Sequence, residues 1–295
     1  MKFGMAMMGL SPRWYPEVAL AAEQNGFESI WMPEHLILPA TMPPTYPYSD
    51  SGYAAITGET PMFDPWVVLG SVASVTSTIR LSNNIYVLPL RHPIITARAV
   101  VTLDRISGGR VTLGAGVGWL EEEFDVMGEN FENRGRRTDE IIGILRDLWT
   151  GEVVEHHGEF YDFGPVQCRP KPLQTPTIPI EIGGHGAPAL RRAGRLADGW
   201  VEVASGTYER FTERLAVVNQ ARQEAGRQDL PFEVTCGIAY DVESVQRVEE
   251  LGATRCVVSP RSSPKNRDLS SVRMDKETFS DWCKEFADEV ISQVN

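Results

Sequence analysis

The stretch IRLSNNIYVLPLRHPIITARAVVTLDRISGGRVTLGAG, residues 79–116, decides the fold class of this chain. Its two ends are apolar and rich in β-branched residues, which predicts two buried strands. Between them, Pro93 stands where a helix would begin, and Gly108 and Gly109 follow where it would end. A strand, a helix and a second strand in this order predict a parallel βαβ unit.

The same alternation continues in both directions along the chain. Eight strands are expected, nearly all followed by a helix, at residues 2–8, 27–32, 79–89, 110–116, 178–184, 200–204, 232–240 and 253–258. Eight such units within 295 residues favour a closed barrel over an open doubly wound sheet. We therefore predict the α/β class, as one (β/α)8 TIM-barrel domain covering residues 1–295.

Two segments exceed what a minimal barrel needs. Residues 36–63, after strand 2, are rich in Pro, Tyr and Gly and show no period. Long irregular loops in compact domains are commonly functional, and this one leaves the face that carries chemistry in barrel enzymes. We interpret it as a lid over a substrate, the alternative being a decorative loop. Residues 150–179, before strand 5, form a second insertion with a predicted hairpin turning at His157 and Gly158.

Composition excludes several classes of protein. The formal charge of −12 disfavours nucleic-acid binding, because such a surface repels phosphate backbones. The four cysteines are far apart, which predicts buried thiols rather than disulfides or a metal site, and the histidines lack metal-ligand spacing, so no metal is expected. No apolar run is long enough for a membrane helix, and the N-terminal stretch makes a poor signal peptide. A cytoplasmic protein is expected.

Glu34 and His35 stand where strand 2 meets the lid. A histidine can exchange protons near neutrality, which makes His35 a candidate acid or base. The alternative is a structural histidine bonded at the edge of a loop.

Glycines follow strands 4 and 5. Gly114, Gly116 and Gly118 do not complete a dinucleotide-binding fingerprint, and tight packing at the barrel rim explains them as well. Gly184 and Gly186 lie just before a helix, where free N–H groups and the helix dipole favour a phosphate, although an ordinary turn is the alternative. The run EEE, residues 121–123, is interpreted as a solvated helix start.

Several motifs together resemble the luciferase-like monooxygenase superfamily, and especially its coenzyme F-420 (deazaflavin)-dependent oxidoreductases. They are WMPEHL, VLPLRHP, TLDRISGGRVTLGAGVGWLEEEF and GGHGAPALRRAGRLADGW, and they cover most of the chain in the family's order. The resemblance implies a (β/α)8 barrel that holds a flavin or deazaflavin at its carboxyl-terminal mouth. It implies that His35 is the catalytic proton donor or acceptor. The residues implied to bind the coenzyme are Glu34, Val117, Gly118, Glu122, Gly184, His185, Gly186, Pro188 and Ala189.

The resemblance also bears on the two asparagines in strand 3. Deazaflavin-dependent members have a non-proline cis peptide there, and the matching bond is Asn84–Ile85, so both residues are expected at the coenzyme. Asparagine is uncommon in strands. The alternatives are a bulge with trans peptides or a break between two shorter strands.

This chain departs from the sugar-phosphate dehydrogenase branch of that family. Trp119 stands where that branch has a glutamate, and residues 203–206 lack its threonine and lysine. Sugar-phosphate oxidation is therefore not expected, and the aromatic residues of the lid suggest a flatter or more apolar substrate. Basic candidates for contact with the coenzyme's acidic tail are Arg136, Arg137, Arg169 and Lys171.

Three functions agree with these features. The first is an F-420-dependent oxidoreductase that transfers a hydride between the deazaflavin C5 and a small imine, enone or alcohol. The second is an FMN-dependent monooxygenase, and the third is a non-catalytic flavin-binding protein. Family analogy implies a homodimer; the substrate, the direction of hydride transfer and the choice between F-420 and FMN stay open.

Overall fold

The computed structural model describes residues 1–202, 207–237, 239–261 and 275–294. In chain order its strands are β1 (Lys2–Ala6), β2 (Ser29–Met32), β3 (Arg80–Asn83), β4 (Tyr86–Val87), β5 (Val111–Gly116), β6 (Val154–His157), β7 (Asp162–Val166), β8 (Ile180–Gly183), β9 (Gly199–Val201), β10 (Glu233–Cys236) and β11 (Arg255–Val258).

The strands form the predicted closed parallel barrel. The order β3-β2-β1-β11-β10-β9-β8-β5 closes through a pairing of β3 with β5. At this closure Leu81 lies opposite Val111, and at the β1–β11 pairing Phe3 lies opposite Cys256. The strands β3 and β4 share one place in the barrel, so nine segments make eight positions. The predicted (β/α)8 fold is confirmed.

Helices surround the barrel in the expected order. They are α1 (Tyr15–Gln24), α2 (Pro65–Ala73), α3 (Pro93–Ser107), α4 (Glu121–Met127), α5 (Arg134–Thr150), α6 (Ala187–Leu196), α7 (Tyr208–Glu224), α8 (Val242–Glu250), α9 (Lys276–Phe286) and α10 (Ser292–Val294). Asp64 caps α2 by accepting a hydrogen bond from the Val67 N–H, and Gly108, the predicted stop signal, ends α3 with φ +71°. A π-helical turn, Ala287–Ile291, separates α9 from α10.

The third strand is interrupted at its two asparagines. The Asn84–Ile85 peptide is cis, as the resemblance implied. Both halves of the strand pair with β5, and a Cβ atom at Gly114 would lie 1.8 Å from the Asn83 carbonyl oxygen. The two strands approach this closely only because position 114 has no side chain. The packing interpretation of this glycine is therefore confirmed.

The barrel interior combines a small apolar cluster with a buried ion pair. Trp31, Val201 and Val257 pack together on the face opposite to the main sheet–helix core. The Arg255 guanidinium lies 5.2 Å from the Trp31 ring centroid and binds both oxygens of Glu181 at 2.9 Å. Fully buried charges are tolerated only with such partners. This pair fills the amino-terminal part of the barrel and leaves the opposite end for the site.

The two insertions are where the sequence predicted them. Residues 36–63 contain neither helix nor strand, and residues 150–179 contain the β6–β7 hairpin, which turns after His157. Parts of two expected strands, at residues 203–204 and 238, lie outside the described residues, as does the whole of 203–206.

The four cysteines are buried thiols and form no disulfides among the described residues, as expected. Within the described ranges, no helix combines the length and apolarity needed to cross a membrane.

Candidate functional site

A cavity of about 940 Å³ opens at the carboxyl ends of the barrel strands. This is the face at which barrel enzymes carry out their chemistry. The predicted catalytic residue and the eleven residues implied to bind the coenzyme all line it, whereas the four basic candidates for its acidic tail do not. Those that line it are Glu34, His35, Asn84, Ile85, Val117, Gly118, Glu122, Gly184, His185, Gly186, Pro188 and Ala189. Four sequence segments thus converge on one volume, although their chemical roles stay predictions.

His35 is held by a buried carboxylate that the sequence reading missed. Its Nδ1 atom lies 2.9 Å from Oε2 of Glu123, whose other oxygen accepts the Leu36 N–H at 2.5 Å. The Glu123 side chain is 1% exposed. The interpretation of EEE as a solvated helix start is therefore wrong for Glu123, although Glu121 is exposed. The first turn of α4 supplies this partner because it contacts the backbone where the lid begins, at Leu36 and Ile37.

The Glu34 carboxylate is bound by Arg91 and by the backbone of Val87. Arg91 binds both of its carboxylate oxygens, and the Val87 N–H donates to Oε2 at 2.8 Å. Burial raises the pKa of Glu34, and Arg91 opposes this by stabilising the charged form. Since these contacts occupy the carboxylate, Glu34 joins the end of β2 to the turn after β4. Because both carboxylate oxygens are occupied, any contact between Glu34 and a coenzyme would come mainly from its other atoms.

The residues that follow β3 and β5 form one wall of the cavity. The Asn84 N–H donates to the Met32 carbonyl at 2.8 Å, which fixes the backbone at the strand break. Gly118 has φ +81°, and a Cβ there would lie 2.7 Å from Val87. Glycine is required on both counts, by backbone conformation and by space. At Gly118 the cavity wall is therefore formed by backbone atoms.

The start of α6 forms the opposite end. Gly186 is its N-cap, and no side chain caps the helix. Gly184 has φ +130°, and a Cβ there would lie 2.9 Å from the Ala189 side chain. The Nδ1 atom of His185 is buried and, among the described residues, has no hydrogen-bond partner. Burial, then Arg214 and Arg210, lower the pKa of His185. Uncapped N–H groups and an unpaired polar atom together fit an anionic group such as a phosphate.

A row of aromatic rings joins these two ends. Successive edge-to-face contacts run from His35 to Trp119, Tyr46, Tyr48 and His185, with ring centroids 5.8, 4.9, 5.2 and 4.6 Å apart. Such geometry is the favoured packing of aromatic pairs. Burial raises the pKa of Tyr46, and burial and Tyr46 raise that of Tyr48 to about 12. The two lid tyrosines are therefore uncharged at neutral pH.

The basic residues proposed for an acidic tail are not on the cavity wall. Instead, they bind protein groups: Arg136 binds Glu159, Arg137 binds Glu129, Arg169 binds Glu152, and Lys171 binds two carbonyl groups. Two other arginines line the cavity, Arg134 and Arg192. The helix α5 begins at Arg134, and this places that residue at the mouth. Contact of the four predicted basic residues with a coenzyme tail therefore stays a prediction, and Arg134 and Arg192 are further candidates.

Comparisons with known proteins agree with this arrangement. Residues 6–247 match the family described as luciferase-like monooxygenase. An uncharacterised protein of Mycobacterium tuberculosis is 36% identical over 264 residues, covering 88% of this chain and 90% of that protein. An F-420-dependent glucose-6-phosphate dehydrogenase of Nakamurella multipartita is 28% identical over 245 residues, covering 81% of this chain and 67% of that protein.

Solved structures show the same fold. Monooxygenase RslO1 from Streptomyces bottropensis superposes with a TM-score of 0.78 at 19% identity, covering 100% of both chains. The coenzyme F-420-dependent tetrahydromethanopterin reductase from Methanopyrus kandleri has a TM-score of 0.76 at 20% identity, covering 100% of this chain and 99% of that one. The family match over most of the chain, with the closed barrel and its cavity, shows that this protein belongs to the luciferase-like monooxygenase family.

Proposed function

We propose that this protein is a coenzyme F-420-dependent oxidoreductase acting on a small, uncharged organic substrate such as an imine, enone or alcohol. The observation that carries the proposal is that His35 and the uncapped start of α6 line the same cavity, so that a proton-exchanging group and an anion site would lie together. The named relative from Nakamurella, which depends on the same coenzyme, supports this choice.

The residues of the cavity fit such a coenzyme. Its phosphate would lie against the uncapped start of α6, at Gly184, His185 and Gly186, where the structure provides unpaired donors and no side-chain obstruction. Its ring system would lie along the backbone of Asn84 and Ile85. When bound, a deazaflavin supplies or accepts a hydride at C5.

The protein's own part in the reaction is proton transfer and orientation. In a reduction His35 would give a proton to the substrate, and in an oxidation it would take one. Trp119 and Tyr46 would hold a flat substrate beside His35 and limit access of water. Because Trp119 stands where sugar-phosphate dehydrogenases have a glutamate, a sugar phosphate is not the proposed substrate.

The rival function is an FMN-dependent monooxygenase, which the description of the family itself favours. An FMN phosphate would use the same helix start, so the cavity alone does not separate the two. We also propose that the protein is cytoplasmic, as its sequence predicts, and a homodimer, as the family resemblance implies. Sedimentation of the purified protein measures the oligomeric state.

The first test is a fluorescence titration of the purified protein with F-420 and with FMN, each oxidised and reduced. Micromolar binding of F-420 and weak binding of FMN would support the proposal. Preference for FMN, with oxygen uptake by the reduced complex, would move the protein to the monooxygenase alternative.

A pair of glycine variants locates the binding site in the same titration. Gly184→Ala should weaken coenzyme binding at least about tenfold, because the new Cβ meets Ala189 at 2.9 Å and the backbone has φ +130°. Gly143→Ala is the matched control, since a Cβ there has nothing within 4 Å. Equal affinities for the two variants would place the coenzyme elsewhere.

A further inference from the structure

Glu123 makes three contacts at the junction of strand 2 and the lid. Its Oε1 accepts the Leu36 N–H at 2.5 Å and the Ile37 N–H at 3.4 Å, and its Oε2 faces His35 Nδ1 at 2.9 Å. The side chain is 1% exposed, so water does not compete for these contacts. Helix α4 thus reaches across to the residue proposed to exchange protons.

These contacts determine which ring nitrogen of His35 carries the proton. A carboxylate only accepts hydrogen bonds, so Nδ1 must be the donor to Glu123. In the neutral ring the other nitrogen, Nε2, is then an acceptor. Among the described residues, Nε2 has no hydrogen-bond partner, and the His35 side chain lines the cavity with 11% of its area exposed.

We propose that Glu123 is a positioning residue that holds neutral His35 as the Nδ1–H tautomer, leaving Nε2 as the atom that exchanges a proton with the substrate. Free histidine prefers the opposite tautomer, so the preference is imposed by the protein. Its importance for turnover rests on the proposed function, whereas the tautomer itself does not. In an oxidation the proton leaving the substrate would bond to Nε2 and convert the neutral ring to the imidazolium; in a reduction the imidazolium would give its Nε2 proton to the substrate and return to the neutral Nδ1–H ring.

Replacing one atom of Glu123 should reverse this arrangement. In Glu123→Gln the side chain has one oxygen and one NH2 group. The backbone N–H groups of Leu36 and Ile37 require the oxygen on their side, so the NH2 group faces His35. To accept from it, Nδ1 must lose its proton, and the ring proton moves to Nε2.

The test is 15N NMR of histidine-labelled protein without coenzyme, at a pH where the imidazole rings are neutral. His35→Gln identifies the signals of His35 among the five histidines. The wild type should show the Nδ1–H tautomer, and Glu123→Gln the Nε2–H tautomer. Asp125→Asn, which removes an exposed carboxylate from the same helix, should leave the wild-type pattern. A wild-type proton on Nε2, or an unchanged tautomer in Glu123→Gln, would overturn the proposal.

Kinetics separate positioning from simple structural support. We expect Glu123→Gln to lower kcat about 100-fold, the usual size of an acid–base contribution, with the coenzyme Kd within about twofold. A parallel loss of coenzyme affinity with an unchanged tautomer would indicate a structural role instead. If the wild type binds no F-420, the proposed function fails, but the NMR result still decides whether Glu123 sets the tautomer.

Discussion

Glu34 and Arg91 form a buried, two-point ion pair that fastens the end of β2 to the turn after β4. Arg91 reaches both carboxylate oxygens, and the Glu34 side chain is 1% exposed. Arg91→Ala would leave this charge buried without its partner, so we expect a loss of about 3–5 kcal/mol in the free energy of unfolding. Urea denaturation measures it. Arg191→Ala, at an exposed position, should change stability by less than about 0.5 kcal/mol, and a similar small effect in Arg91→Ala would contradict the assignment.

His35 lies on the cavity wall, and its proposed role is proton exchange. We expect His35→Ala to bind coenzyme with little change in Kd and to lose at least about 100-fold in kcat, as removal of a general acid or base does. Titration followed by steady-state kinetics checks both parts. His157→Ala, in the exposed hairpin, is the control. Full turnover by His35→Ala would remove this residue from the mechanism.

The lid tyrosine Tyr46 lies against Trp119, 4.9 Å between ring centroids. Tyr46→Ala removes an aromatic contact and opens that wall, so KM for a flat substrate should rise about tenfold while the coenzyme Kd stays the same. Tyr53, on the same lid, is 55% exposed, and Tyr53→Ala is the matched control. If both variants behave alike, the aromatic row does not select the substrate.

Gly114, in β5, permits the close approach of β3 and β5. In Gly114→Ala the added Cβ would fall 1.8 Å from the Asn83 carbonyl oxygen, a backbone atom that has no room to move. We expect loss of more than about 4 kcal/mol in unfolding free energy, or no folded protein. Gly70→Ala, in a helix with no atom within 4 Å of the new Cβ, should instead stabilise the protein by about 0.5–1 kcal/mol. Thermal denaturation of both variants tests the contrast.

Glu23 gives the fold a pH-dependent contribution. Although partial burial works against it, hydrogen bonds from the N–H groups of Ile79, Thr78 and Ser77 lower the pKa of Glu23 to about 2, from 4.5. The stabilisation is therefore complete above about pH 4.5 and is lost as pH falls towards 2. Discounted for solvent, Glu23→Gln should cost about 1 kcal/mol at pH 7 and progressively less below pH 4.5. Urea curves at several pH values measure the difference, and a constant cost would contradict it.

The repeated pattern in the sequence predicted the barrel because each unit carries its own signals. Apolar runs, Pro93 at a helix start and Gly108 at a helix end act within a few residues of themselves, so they can be read without the partner strands. The interruption of strand 3 was predictable too, since asparagines are out of place in a regular strand. The predicted site residues come from the strand ends that a closed barrel brings to one mouth.

What the sequence alone did not provide depends on helix phase and on distant contacts. Three successive glutamates look alike in the sequence, but residues on a helix are about 100° apart, so α4 buries Glu123 and exposes Glu121. The same reason separates Arg134, on the cavity wall, from Arg136. The sequence by itself therefore determined the barrel and its mouth, because periodicity and capping are local. Only the tertiary structure decided which charged side chains meet His35 and the cavity, because packing brings together residues almost ninety positions apart.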